Sequence, residues 1–288
     1  MGPPMCRRIA AALEALDEAI REEREHLCLT DPDARMMAEG REKKIRECHS
    51  FEVAVDREAG LLVVGQTTQE SHDNTRLLPL VEAAREHEPQ GVVAADGDSG
   101  YYSGDMIGEL LCEGVDVCVP DSNTAGDLHR NQPVGTTRDR GQEWVAFVYD
   151  AASDAYSCPE GNILRPRQQV EHGGQRVMVY RAKRDCSGCE RAGACLHQPG
   201  AKRRTLKVGA YDAILEAARQ QFDDPEQRER YRHRGEVVET VFGFVRGVLG
   251  YTRWLLRGSE RVACEGRLIK TAYQIRKVHG AWAARGAR

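Results

Sequence analysis

The chain has 288 residues, of which 41% are apolar and 30% charged, enough length for a substantial core. No apolar run approaches the roughly 18 residues of a membrane helix, and the charged N-terminus lacks a secretory apolar stretch; no membrane partner is expected, and the cytoplasm is the expected compartment. The net charge of −4 hides a split: residues 161–288 carry 26 Lys and Arg against 13 Asp and Glu, whereas residues 1–160 carry 15 against 32, which suggests either a half that faces a polyanion or an uneven surface.

Residues 6–26 predict a helix, because Ile9, Leu13, Leu16 and Ile20 recur at spacings of three and four. Two alternating runs, 51–56 and 61–66, predict a hairpin closed by the turn Arg57–Gly60. A helix is expected over 74–87, a buried strand over 91–96, a helix over 104–113 and a strand over 115–119, stopped by Pro120. Residues 121–143 are polar and rich in turn formers and read as a loop. Strands follow at 144–149 and 176–181. From 208 onward the pattern is helical, over 208–222, 224–233, 236–249 and 259–283. A hairpin feeding helix–strand alternation implies an α/β fold, a mixed sheet with flanking helices.

Two carboxylates stand out. Asp98 lies just past the strand 91–96, at the carboxyl end where open α/β sheets place their sites. Gly97 and Gly100 allow a tight turn there, and an exposed Asp in such a turn suits Mg²⁺, a hard cation that prefers oxygen. The competing reading makes Asp96, Asp98 and Asp105 ordinary turn and N-cap residues. Glu239 sits in YRHRGEVVETVFGFVRG, seven residues before Arg246 on the same helical face, with Arg232 and Arg234 nearby. A structural salt bridge is the alternative for this acid.

Taken together, the segments GDSGYYSGDMIGELLCEGVDVCVPD and YRHRGEVVETVFGFVRG resemble the second-aspartate and glutamate blocks of DDE transposases of bacterial insertion sequences. Downstream, Arg257, Gly258 and Glu265 match the family's Arg-Gly pair and following Glu. TDPDARMM at 30–37 and SFEVAVD at 50–56 match blocks of one subgroup. The resemblance implies an RNase H-like sheet in which Asp98 and Glu239 are the second and third members of a catalytic triad. That triad would hold Mg²⁺ for cleavage and transfer of DNA strands at the ends of the insertion sequence. It further implies that Tyr231, Arg234 and Arg246 bind DNA phosphates, and that the functional form is a homodimer on transposon ends and target DNA. His49 and Ser50 depart from the subgroup's Tyr-Asn, and Gly97 stands where the family has Ala.

In such proteins the first Asp stands on a central first strand and is followed by Gly-Thr. No such strand precedes 51–66, so an N-terminally truncated reading frame and an inactive copy are expected. Asp31, Asp33 and Asp56 are conceivable substitutes, although each lies in a turn or at a hairpin end. The alternative function is a zinc-stabilised DNA-binding module without catalysis.

Cys186-x2-Cys189-x5-Cys195, with Cys158 upstream, supplies four thiolates. Cys-x2-Cys is a half-site for tetrahedral zinc, and His197 is a rival fourth ligand. The resembled subgroup carries a similar four-cysteine insertion. A structural Zn²⁺ is therefore expected, stapling an insertion too small for its own core, with Arg181, Lys183, Arg184 and Arg191 available for DNA. The expected organisation is a helical segment over 1–50, the first part of the catalytic domain over 51–143, the cysteine insertion over 144–207 and a helical part carrying Glu239 over 208–288.

Overall fold

The computed structural model describes residues 3–39, 44–88, 90–134, 147–172, 175–196 and 200–286. The chain divides into two compact units. The first draws on residues 1–73, 79–91 and 233–288, and the second on residues 74–78 and 92–232.

In the first unit, helix α1 (Pro3–Arg21) is followed by two antiparallel hairpins, β1 (Arg35–Glu39) with β2 (Lys44–Cys48), and β3 (Ser50–Val55) with β4 (Leu62–Thr68). The first 50 residues are thus not helical throughout. RMMAE and KIREC carry no alternating apolar signal, and cross-strand pairing overrides their weak local preference. The α1 stripe also behaves differently from its periodicity: Ala15 and Ala19 are buried, while Ile9, Leu13, Leu16 and Ile20 stay exposed. Helix α8 (Ser259–Gly286) lies on β4. Gly266 permits the approach, since a Cβ there would meet Thr67 Cγ2 at 3.1 Å and Phe51 Cε2 at 3.2 Å. Gln274 pins the contact by accepting from Leu62 N–H and donating to Leu62 C=O. Leu62, Val241, Val245, Ile269 and Tyr273 form the core, flanked by Phe51, Phe244 and Trp254.

In the second unit, β5 (Ala94–Asp96) pairs in parallel with β6 (Asp116–Cys118), joined through helix α3 (Gly104–Cys112). Residues 121–143 do not form a plain loop, because Ser122–His129 is a helix, α4. Asp121 starts it by accepting from Asn123 and Thr124 N–H at 2.9 and 3.1 Å, the N-cap geometry that a polar sequence can supply without apolar periodicity. The unit's main sheet has five antiparallel strands in the order β11-β10-β9-β8-β7, comprising β7 (Val148–Asp150), β8 (Ala155–Ser157), β9 (Ile163–His172), β10 (Gln175–Ala182) and β11 (Thr205–Gly209). Of the predicted strand 144–149, residues 144–146 lie outside the described residues. Strand β11 and helix α6 (Asp212–Gln220) replace the helix expected from 208.

The single mixed sheet expected from the sequence is, among the described residues, two separate two-stranded sheets, β3–β4 and β5–β6. The supposed insertion also has a core of its own. Leu164, Tyr180 and Ala182 are buried and pack with Phe147, Tyr156, Met178, Leu206 and Val208. The helices expected at 224–233 and 236–249 are one helix, α7 (Pro225–Gly243), running through Gly235 into a π-helical turn at Phe244–Val248.

Candidate functional site

Asp98 sits two residues beyond β5, and its side chain accepts from Gly100 N–H at 2.8 Å, opening a 3-10 turn over Ser99–Tyr101. The carboxylate is exposed. Gly97 fits closely before it: its N–H donates to Cys118 C=O at 3.1 Å, and a Cβ would press on Val119 Cγ2 at 3.0 Å. Asp96, the neighbouring acid, is used differently. Arg230, on the first half of α7, donates Nε and Nη2 to Asp96 Oδ1 at 2.8 and 2.6 Å, and also bonds Asp116 Oδ2 and the Asp116 carbonyl. Burial disfavours the Arg230 charge, but bonding to Asp96 and the charges of Asp96, Cys118 and Asp116 outweigh it and raise its pKa. Arg230 thus locks α7 to both strand ends. Nothing in RERYRHRG distinguished it from the surrounding arginines.

Helix α7 carries Tyr231, Arg234 and Glu239. At 3.6 residues per turn, Glu239 stands about 80° from Tyr231 and about 140° from Arg234, so the tyrosine lies angularly between the two. The Tyr231 ring meets Phe222 edge-on at 6.0 Å. Glu239 and Arg246 are exposed, while Val241 and Val245 enter the core. The seven residues from Glu239 to Arg246 do not form a simple heptad. The bond from Leu249 N–H to Phe244 C=O spans five residues at 3.1 Å, the mark of a π turn, and such turns recur at functional sites. Asp98 belongs to the second unit and Glu239 to the first.

The proposed substitutes for a first aspartate are occupied elsewhere. Asp33 Oδ2 accepts from Ser259 N–H at 2.6 Å and Ser259 Oγ–H at 2.9 Å, capping the start of α8. The Ser259 backbone bond outweighs partial burial, and with the Ser259 hydroxyl and the charges of His49 and Arg35 it holds the Asp33 carboxyl below its usual range. Asp31 accepts from Gly258 N–H at 3.0 Å and pairs with buried His49 Nε2 at 3.1 Å. Asp56 accepts from Ala59 N–H in the β3–β4 turn. Glu265 is buried and accepts from Leu255 and Leu256 N–H at 2.9 and 3.1 Å. The resemblance marks Glu265, but not its role as a clamp on the preceding loop.

Cys158, Cys186, Cys189 and Cys195 all line one cavity of about 550 Å³. Cys195 ends the short helix α5 (Ala192–Cys195). Its pKa is raised by burial and by the other three cysteines, while Arg204 pulls it down. Two partners escaped the sequence reading. Buried Asn162 donates N–H to Cys158 Sγ and Nδ2–H to Cys186 Sγ, both at 3.2 Å, and Arg204 supplies a cation. Such N–H···S bonds orient and stabilise thiolates around a metal. Among the described residues, however, no three His, Cys, Asp or Glu side chains are gathered into a cage that could hold a metal as placed. The thiols therefore surround a space rather than a point. His197 lies outside the described residues.

Residues 157–279 match a family described as a transposase DDE domain. The match contains Tyr231, Arg234, Glu239, Arg246 and the four cysteines; Asp98 lies before it. No curated protein and no solved structure matches the chain.

Proposed function

We propose that this chain, whose residues 157–279 match a transposase DDE domain, represents the catalytic part of an insertion-sequence transposase, with Asp98 and Glu239 as two of the carboxylates that hold Mg²⁺. Both side chains are exposed hard-oxygen donors, which suits that ion. Held by these carboxylates, Mg²⁺ would supply Lewis-acid chemistry for phosphodiester exchange. The chain's own part is to orient DNA: Tyr231, Arg234 and Arg246 would bind phosphates beside the scissile bond, where a guanidinium matches two phosphate oxygens. The observation that carries this reading is that Glu239 and its basic neighbours lie inside the matched segment. The family's Asp-Gly-Thr does not occur in the 288 residues, so we expect this chain alone not to transfer strands.

Fe²⁺ substituted for Mg²⁺, with peroxide, cuts a polypeptide beside its ligands. Cuts near both residues 98 and 239, lost in Asp98→Asn and in Glu239→Gln, are expected. Cuts near only one, or near neither, would refute a shared metal site and favour a non-catalytic DNA-binding module.

A structural Zn²⁺ at the four cysteines is part of the same proposal. Four soft donors, two N–H···S bonds and the Arg204 charge suit a closed tetrathiolate site. Elemental analysis of the purified chain is expected to give stoichiometric zinc, and a chain free of zinc would remove this element. The functional homodimer would have a seam available on α8, where Leu268, Ile275, Val278 and Trp282 are exposed at heptad-like spacing. Among the described residues no helix is long and apolar enough to cross a membrane, and DNA in the cytoplasm is the proposed setting.

A further inference from the structure

The two faces of the five-stranded sheet differ in kind. One covers the Leu164–Tyr180–Ala182 core. The register places Val177, Val179, Arg181, Lys207 and Arg165 on the other. At one end this outer face is closed by α3: Val177 is buried, and Asp105 Oδ2 accepts from Arg176 N–H at 3.1 Å. At the other end it is open. Arg181 stands directly opposite Arg165 on β9 and Thr205 on β11, and all three are exposed. Lys207 lies two positions along β11, opposite Val179. Exposed Lys183 continues β10, and exposed Arg167 is the extra residue of the bulge beside Tyr180.

Like charges directly opposite on neighbouring strands destabilise a sheet. A basic residue on an edge strand can be explained as a guard against unwanted pairing, but β9 and β10 are interior strands. Among the described residues neither Arg165 nor Arg181 forms an ion pair, and Asp150 on β7 accepts instead from Ala152 N–H and Ser153 Oγ–H. Among the described residues the Lys207 ammonium meets the His172 ring, at 3.3 Å, and no carboxylate. A polyanion would relieve this arrangement.

We propose that the open outer face of β9, β10 and β11 docks the phosphate backbone of duplex DNA through Arg165, Arg181 and Lys207, with Lys183 at its rim. This rests on the transposase reading and adds to it a further set of DNA-binding residues, on the five-stranded sheet. Contacts of this kind position DNA without reading its sequence. Each phosphate neutralised releases counterions and steepens the fall of affinity with salt.

The test uses the full 288-residue chain and short duplexes of unrelated sequence, with affinity measured by fluorescence anisotropy across a salt series. The Arg165→Gln/Arg181→Gln/Lys207→Gln variant should melt at or above the parent temperature, because the like-charge pair is gone. Its log–log salt slope should become shallower by about 3, with equal loss on every sequence. Arg165→Lys/Arg181→Lys, which keeps the charge, should retain the parent slope. An unchanged slope in the Gln variant, or an equal loss in the Lys variant, would overturn the surface while leaving the transposase reading intact. Absence of salt-dependent duplex binding by the parent chain would overturn both.

Discussion

The acids of this protein fall into two groups. Asp31, Asp33 and Glu265 accept backbone N–H bonds around the start of α8, and Asp96 is held by Arg230. Asp98 and Glu239 are exposed. The first group contributes to folding through its bonds, because removing an acceptor leaves buried or partly buried donors unsatisfied. The second group is expected to contribute less to folding, because its carboxylates face solvent. If the contrast is real, stability measurements should separate the groups without any assay of activity.

Arg230→Met is expected to have the largest effect, a loss of about 3 kcal/mol in denaturant unfolding, because it removes the cation and two hydrogen bonds from the largely buried Asp96 carboxylate. Adding Asp96→Asn should recover much of that loss, a coupling that a double-mutant cycle reads directly. A loss in Arg230→Met no larger than that of an exposed arginine would remove Asp96 from the structural group.

Next comes the cap on α8. Asp33→Ala is expected to cost about 1 kcal/mol, as for other N-cap acceptors. The folded state holds the Asp33 pKa below its ordinary value. Its contribution is therefore complete above the unfolded pKa and disappears as pH falls through the lower folded value. The gap in melting temperature between parent and Asp33→Ala should close on acidification from neutral pH to below the usual carboxylate range. A gap that stays constant with pH would mean the carboxylate charge is not what stabilises the cap.

How much of this was legible in the sequence follows from the range of each interaction. The β3–β4 hairpin, α3 and α8 were readable because period-two or period-3.6 patterns are local. Asp98 was readable as the exposed acid after a strand. Asp31 and Asp33 looked like turn residues because their partners, Gly258 and Ser259, are more than 220 residues downstream. The β1–β2 hairpin went unseen because its strands are held by pairing with each other rather than by an apolar face. The sequence pattern divides 224–249 into two helices, yet α7 runs through Gly235, since a single helical glycine costs only about 1 kcal/mol. The four cysteines were legible by spacing, whereas Asn162 and Arg204 became visible only once the sheet brought them to the same cavity.

The smallest expected effect is the most discriminating one. Asp98→Asn keeps an oxygen to accept from Gly100 N–H, and Glu239→Gln changes an exposed helical side chain. Each should alter unfolding stability by no more than about 0.5 kcal/mol. In the presence of Mg²⁺ the ordering is expected to reverse. The parent chain should gain stability by linkage to the bound ion, while the two neutral variants should not. That gain, measured as a shift in melting temperature between Mg²⁺ and a matched concentration of monovalent salt, would be lost equally in the two variants if both acids hold the same ions. If one variant alone loses it, the retained acid belongs with neither group, and Asp98 and Glu239 cease to be partners.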